Sequence, residues 1–442
     1  MSPRLLLPAL LAASAAGAAP ADDARSAEVA SALRDLGRHA ATVLVGPDGM
    51  GRTDYHVLDG AWRDYEPAWH TGQLVWGLVE ASTVLGDDAL LAAARRSGDW
   101  WVAQEFRPPH PFAGLLNAWH GDKLGPTLVN WTTIADGTPG LFALSRATGD
   151  PRYADTATRS ARWLWERTRV PADVPGGAGL FYNILDPERG VVVTDWNPHR
   201  QGPRYDAAEA RRAGVPPITE LARPNIEGFL FADVARWTGD DAWRRRFLEQ
   251  AEHALARQDA NGLWMEFEPN DARTGAVHPR FNLWNAEALL EAHHLTGDRR
   301  FLAGARRTVD FHARLARPDG TMHYAQNVDG TARPDSVTGS AVAFHGLLLL
   351  RLRDYGEPGL DAAIERAVDW ILRNRYAAGH PDPNLAGAVV DTRQRIAGGR
   401  LSLVQRDVGT TFALRFLALY LRDRRGEDVN AHLRGPPPPA AP

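Results

Sequence analysis

Cysteine is absent from the 442 residues. That excludes disulfides, thiolate metal sites, iron–sulfur clusters and cysteine nucleophiles. Lysine is scarce as well: Lys123 stands alone, and arginine supplies the rest of the 50 basic residues. Schiff-base chemistry would have to use that one loop lysine, which reads as a solvated surface residue. A strong excess of either charge is also missing. The 50 basic and 54 acidic residues leave −4, so no field steers the chain to nucleic acid or an anionic membrane. Beyond the N-terminus no apolar run reaches the roughly 20 residues that a helical span needs. The sequence has no His-Glu-x-x-His, Gly-x-Ser-x-Gly or phosphate-loop pattern, and His293-His294 are adjacent rather than one helical turn apart. No metal and no cofactor are expected.

What is present begins with an address. Arg4, an apolar stretch from Leu5 to Ala16, and Ala19-Pro20-Ala21 ahead of Asp22-Asp23 have the three-part form of a secretory signal peptide over residues 1–21. The expectation is export, with a secreted or periplasmic mature chain that inserts in no membrane. The tail 435–442, with Gly435 and four prolines, reads as disordered.

Five apolar segments end in a glycine followed by an acid. They are Leu85-Gly86-Asp87, Thr148-Gly149-Asp150, Thr238-Gly239-Asp240, Thr296-Gly297-Asp298 and Tyr355-Gly356-Glu357. Glycine suits the left-handed position after a helix, and the acid can cap the next one. Each signal therefore predicts a tight turn between two helices. First helices are predicted near 70–84, 139–147, 226–237, 283–295 and 340–354. Second helices follow near 88–106, 151–169, 241–258, 299–316 and 358–375. One more helix precedes the series (26–43) and one follows it (408–422). These two complete a sixth pair, which favours a closed all-α toroid of six helical hairpins, an (α/α)6 ring over 22–434, above an open solenoid. Segments from Gly179, Gly262 and Gly320 alternate like short rim strands, and 170–222 reads as a loop inserted over one end.

Tryptophan-rich connections and the repeated Thr-Gly-Asp turns resemble the six-hairpin glycosidase superfamily. Within it, Ile134-Ala135-Asp136-Gly137 followed by Thr148-Gly149-Asp150-Pro151-Arg152-Tyr153 is similar to unsaturated glucuronyl hydrolases, where a catalytic aspartate begins an inner helix. The bulky residues that follow that aspartate in the family are replaced here by Gly137-Thr138-Pro139-Gly140. The resemblance implies a glycoside hydrolase acting on oligosaccharides that contain a uronic or unsaturated uronic acid, and the signal-peptide form of residues 1–21 implies that it is exported. Asp136 would be acid and base, with Glu227 or a loop carboxylate assisting.

Parallel inner helices would bring their first turns to one mouth, where His70, Gln73, Asp136, Arg223, Asn225, Glu227, Asn282 and Asn285 fall among Trp69, Trp131 and Trp284. Polar side chains there need partners or water, and beside tryptophans they predict a sugar funnel. Arg223 suits a uronate carboxylate, since its fork matches two oxygens. Each residue also has a plainer reading. Asp136 can cap the helix near Pro139, Glu227 can supply a first-turn carboxylate, Asn225 and Asn282 can be caps, and His70 can be an interior histidine. Asp64, Glu66, His120 and Asp122 lie on loops that would overhang the mouth. Three rival functions stay open. A polysaccharide lyase would use His70, His120 or Tyr205 as base, with Arg223 and an asparagine on the uronate. A sugar epimerase and a non-catalytic sugar-binding toroid are the others. Neither the sugar nor the oligomeric state is legible.

Overall fold

A computed structural model describes residues 19–121, 128–197, 202–332 and 336–430. Most of the expected signal peptide, Asp122, Lys123 and the tail 435–442 lie outside the described residues. The helices are α1 (Ala19–His39), α2 (Pro67–Leu85), α3 (Asp88–Ala103), α4 (Trp131–Gly137), α5 (Pro139–Thr148), α6 (Arg152–Arg167) and α7 (Ala207–Ala213). They continue with α8 (Leu230–Thr238), α9 (Asp241–Ala256), α10 (Pro279–Thr296), α11 (Arg299–Leu315), α12 (Gly339–Asp354), α13 (Asp361–Arg373) and α14 (Val408–Arg424). Among the described residues no helix is long and apolar enough to cross a membrane.

The six hairpins form one closed (α/α)6 ring. Helix α2 packs on α3, α5 on α6, α8 on α9, α10 on α11 and α12 on α13, and α14 pairs with α1. Closure is made where α14 lies against both α12 and α2. Helices α2, α10, α12 and α14 are buried almost all round, as inner staves must be. Their partners α6, α11 and α13 are amphipathic, burying one stripe and leaving arginines and acids to water.

The turn chemistry follows the repeat. Gly86, Gly149, Gly239, Gly297 and Gly356 all have positive φ, where an L side chain is strained. Asp87, Asp240 and Asp298 accept backbone N–H groups and cap the following helices. Glu357 departs from that expectation. Helix α13 starts only at Asp361, and Glu357 pairs instead with Arg299 and Arg306 of α11.

The rim differs from expectation in several places, among them 320–325, which form no strand and leave the pairing to the adjoining Gln326–Asn327. Residues 262–267 make turns rather than a strand, because their backbone bonds run locally, with Gly262 N–H donating to Asp259 and Phe267 N–H to Trp264. The stretch 170–222 carries short strands at Phe181–Tyr182, Ile184–Asp186, Val191–Val192 and Ala222–Arg223, besides α7. The largest sheet lies where no strand was expected. Its order is 336–338, 391–397, 400–406, 54–56, 61–63, and the hairpin Asp391–Ala397/Arg400–Arg406 forms its centre.

Charge is buried between the inner helices as well. Arg415 donates to Glu287 at 2.9 Å, and Arg351 lies 3.7 Å from Glu287 and 3.5 Å from Glu291. Arg236 pairs with Glu291 and, at 3.1 Å, with Asp233. Each of these buried ions is matched, so none of them bears the full cost of desolvation alone.

Candidate active site

A cavity of about 520 Å³ opens at the end of the ring where α2, α4 and α10 begin. Asp136 is on its lining, in the last turn of α4 and 2% exposed. It caps no helix: Asn130 caps α4, α5 has no side-chain cap, and the Asp136 carboxylate accepts the Trp69 indole N–H at 2.5 Å. The Gln73 amide donates to the Asp136 carbonyl.

The glycines after Asp136 explain how α2 reaches it. A Cβ on Gly72 would stand 2.4 Å from the Gly137 carbonyl oxygen, and one on Gly140 would stand 2.1 Å from that of Gly72. Bulky residues here would push the two helices apart and pull Trp69 off the carboxylate. Burial is the largest influence on Asp136 and raises its pKa. The Trp69 hydrogen bond and Arg415 oppose it, while the charges of Glu227 and Glu287 add to it. The outcome is a pKa of about 8. Asp136 is thus a neutral carboxylic acid at pH 7.

Of the residues expected from sequence, Glu66, Trp69, His120, Asp136, Arg223 and Trp284 meet at the cavity. His70, Gln73, Trp131, Asn225, Glu227, Asn282 and Asn285 are buried outside its lining. There they brace it. His70 Nδ1 is 2.7 Å from Asp407, and Trp131 donates to Thr168 at 2.8 Å. Asn225, at φ 49°, accepts the Thr132 hydroxyl at 2.8 Å. Asn282 ties the loop before α10 through Trp264 N–H and the Asn270 amide. Glu227 accepts Arg223 at 3.1 Å. A Cβ on the neighbouring Gly228 would lie 2.5 Å from Asp136 Cα, which places the Glu227 segment directly against Asp136.

Arg223 is fixed on the lining by three acceptors: Thr132 Oγ1, Glu227 Oε1 and the Glu268 carbonyl. Glu66, at φ 48°, faces His120 Nε2 at 2.9 Å. Burial pushes the Glu66 carboxyl up, but the charge and hydrogen bond of His120 outweigh it and hold the pKa at about 2. Asp64 and Tyr205 are off the cavity lining: Asp64 accepts Thr53 N–H, and Tyr205 donates to Asp271.

Sequence reasoning missed the cationic part of the lining, Arg280, Arg393 and Arg406, together with His278 and Tyr324. His278-Pro279-Arg280 stand just before Asn282, Trp284 and Asn285 in the sequence, so their place at the start of the same inner helix was the available signal. Arg393 and Arg406 sit on the central hairpin, whose alternation over 391–406 was the available signal. Arg406 is paired with Asp54 at 3.0 Å. Arg280 instead lies over Trp69, Trp284 and Tyr324, 5.4–5.8 Å from their ring centres.

No family model matches the chain, and no curated protein is similar to it by sequence. Solved structures are similar in shape. A heparin-specific unsaturated glucuronyl hydrolase superposes with a TM-score of 0.60 at 14% identity, over 92% of this chain and 99% of that one. An unsaturated glucuronyl hydrolase from a Bacillus species gives 0.58 at 14% identity, over 91% and 97%. The cellobiose 2-epimerase of Spirochaeta thermophila gives 0.64 at 14% identity, over 94% and 99%. The (α/α)6 toroid is their common fold. At this identity the likeness is one of architecture, and chemistry has to be argued from the cavity.

Proposed function

We propose that the chain is a glycoside hydrolase acting on oligosaccharides that carry a uronic acid, most simply an unsaturated one at the non-reducing end. The observation that carries this reading is Asp136, a neutral carboxylic acid beside Trp69 in a cavity lined by arginines. General-acid work at neutral pH needs such a proton. Asp136 protonates the ring double bond, water adds to the adjacent ring carbon, and the product opens to break the glycosidic link. Arginine forks match the sugar carboxylate, and Trp284 offers an apolar face to the ring. The likeness to unsaturated glucuronyl hydrolases supports the reading. Export is proposed on the form of residues 1–21.

The test is the ultraviolet absorbance of an unsaturated uronate disaccharide incubated with the protein. Its loss is expected, and Asp136→Asn should abolish it. A sugar epimerase is the second reading, supported by the likeness to the cellobiose 2-epimerase. Conversion of a neutral disaccharide to its epimer, with the uronate left untouched, would establish that reading instead.

A further inference from the structure

The cavity holds a second arrangement that hydrolysis does not use. His278 precedes α10, and its Nδ1 accepts the Phe281 N–H at 3.0 Å. That contact places the ring proton on Nε2, which faces the Tyr324 hydroxyl at 2.7 Å. Burial lowers the His278 pKa, and Arg280, Arg393, Arg406 and Arg223 lower it further, so the ring is neutral. It donates to Tyr324 and carries no charge there.

Two guanidinium groups face the Tyr324 ring, Arg393 at 4.1 Å and Arg280 at 5.4 Å from its centre. Arg280 is 3% exposed, and its Nε and Nη1 have no hydrogen-bond partner among the described residues. The Nε of Arg393 has none either. Buried donors left open in a cavity wall call for an acceptor, and a sugar carboxylate supplies two oxygens. Negative charge on the Tyr324 oxygen would then be met by one donated N–H and two cations.

We infer that the cavity also carries out β-elimination on saturated uronate oligosaccharides, with Tyr324 as the base, His278 as its positioning residue and Arg280 and Arg393 on the carboxylate. Tyr324, as phenolate, takes the proton from the ring carbon that bears the carboxylate. The freed electron pair forms the ring double bond as the neighbouring carbon–oxygen link breaks. The leaving oxygen takes the Asp136 proton. The products are a shortened oligosaccharide and a new unsaturated end; solvent then takes the proton from Tyr324 and returns one to Asp136. This inference rests on the reading of the cavity as an acidic-sugar site. It adds that the same cavity generates the unsaturated ends it consumes.

The full chain is incubated with a saturated glucuronate oligosaccharide, and the ultraviolet band of the unsaturated uronate is followed. Separately, the same protein is given an unsaturated disaccharide. A transient rise on the saturated substrate is expected, with at least a tenfold slower rise in Tyr324→Phe. His278→Asn keeps a capping side chain for α10 but removes the donor to Tyr324, so it should slow the rise similarly at an unchanged melting temperature. Loss of the disaccharide band without any rise on the saturated oligosaccharide would overturn the elimination and leave the hydrolase standing. A rise without disaccharide loss would do the reverse. A full-rate rise in Tyr324→Phe would remove Tyr324 from the reaction, and one in His278→Asn would remove His278 from its positioning role.

Discussion

The indole of Trp69, in the first turn of α2, donates to the carboxyl of Asp136, in the last turn of α4, at 2.5 Å. That hydrogen bond favours the charged form, but the burial of the carboxyl outweighs it and the proton is kept. Glu227 and Glu287 add negative field on the same side of the balance, and Arg415 subtracts from it. The proton-holding property of Asp136 thus depends on three inner helices besides its own segment.

Asp136→Asn should lower turnover of the unsaturated disaccharide at least about a hundredfold, since it removes the proton and preserves the shape. It should not destabilise the fold. Native Asp136 holds its proton up to about pH 8, whereas unfolded aspartate loses it near 4. Between those values the native state binds more protons, so wild-type stability falls as pH rises. The variant lacks that fall. Its melting-temperature advantage should therefore widen from about pH 4 to about pH 8 and then level off. Calorimetry of both proteins across that range checks the slope.

Gly140→Ala tests the close approach of α2 to the Asp136 segment. A methyl group 2.1 Å from the Gly72 oxygen forces the backbones apart. Overpacking of this kind costs about 1–3 kcal/mol. Melting temperature and turnover should fall together, and Asp136 should become less acidic as the Trp69 hydrogen bond, which favours the charged form, is lost. A shift of the basic limb of the pH–rate profile to higher pH reports the latter.

Arg393→Gln removes one guanidinium from the cavity without touching Asp136. A charge-assisted hydrogen bond contributes about 1.5–3 kcal/mol, so kcat/KM for uronate substrates should fall about 10- to 100-fold. The loss should appear mainly in KM, and steady-state kinetics separates the two.

Arg415→Met strands Glu287, which among the described residues would retain only Arg351 at 3.7 Å. Breaking a buried pair from one side costs about 3–5 kcal/mol. Adding Glu287→Gln should recover much of that loss. A double-mutant cycle in urea measures the coupling.

How far these relationships were legible in the sequence varies with their origin. The turns were, because a glycine at positive φ followed by an acid is a local requirement that residues such as Gly239 and Asp240 meet by themselves. Pairing of the first and last helices was too, because an unpartnered apolar helix at each end can bury its face only by joining the other. Asp136 and Arg223 were found at the mouth, and burial in an aromatic funnel already implied that Asp136 stays partly protonated near neutrality. The added field of Glu227 and Glu287 was not legible, because they lie far along the chain and near Asp136 only in the fold. The first-turn rule also collected residues of mixed orientation. His70 follows Trp69 by one position yet turns away toward Asp407, since adjacent helical residues do not share a face. Arg393 and Arg406 escaped because the hairpin that carries them is long-range sheet structure inserted in a helical repeat.

Infrared difference titration of Asp136 tests the central claim most directly. The carbonyl band of a protonated carboxyl, present in the wild type and absent from Asp136→Asn, should persist at pH 7 and disappear with a midpoint near 8. An Asp136 already ionised at pH 7, with its midpoint near that of ordinary aspartate, would contradict the account.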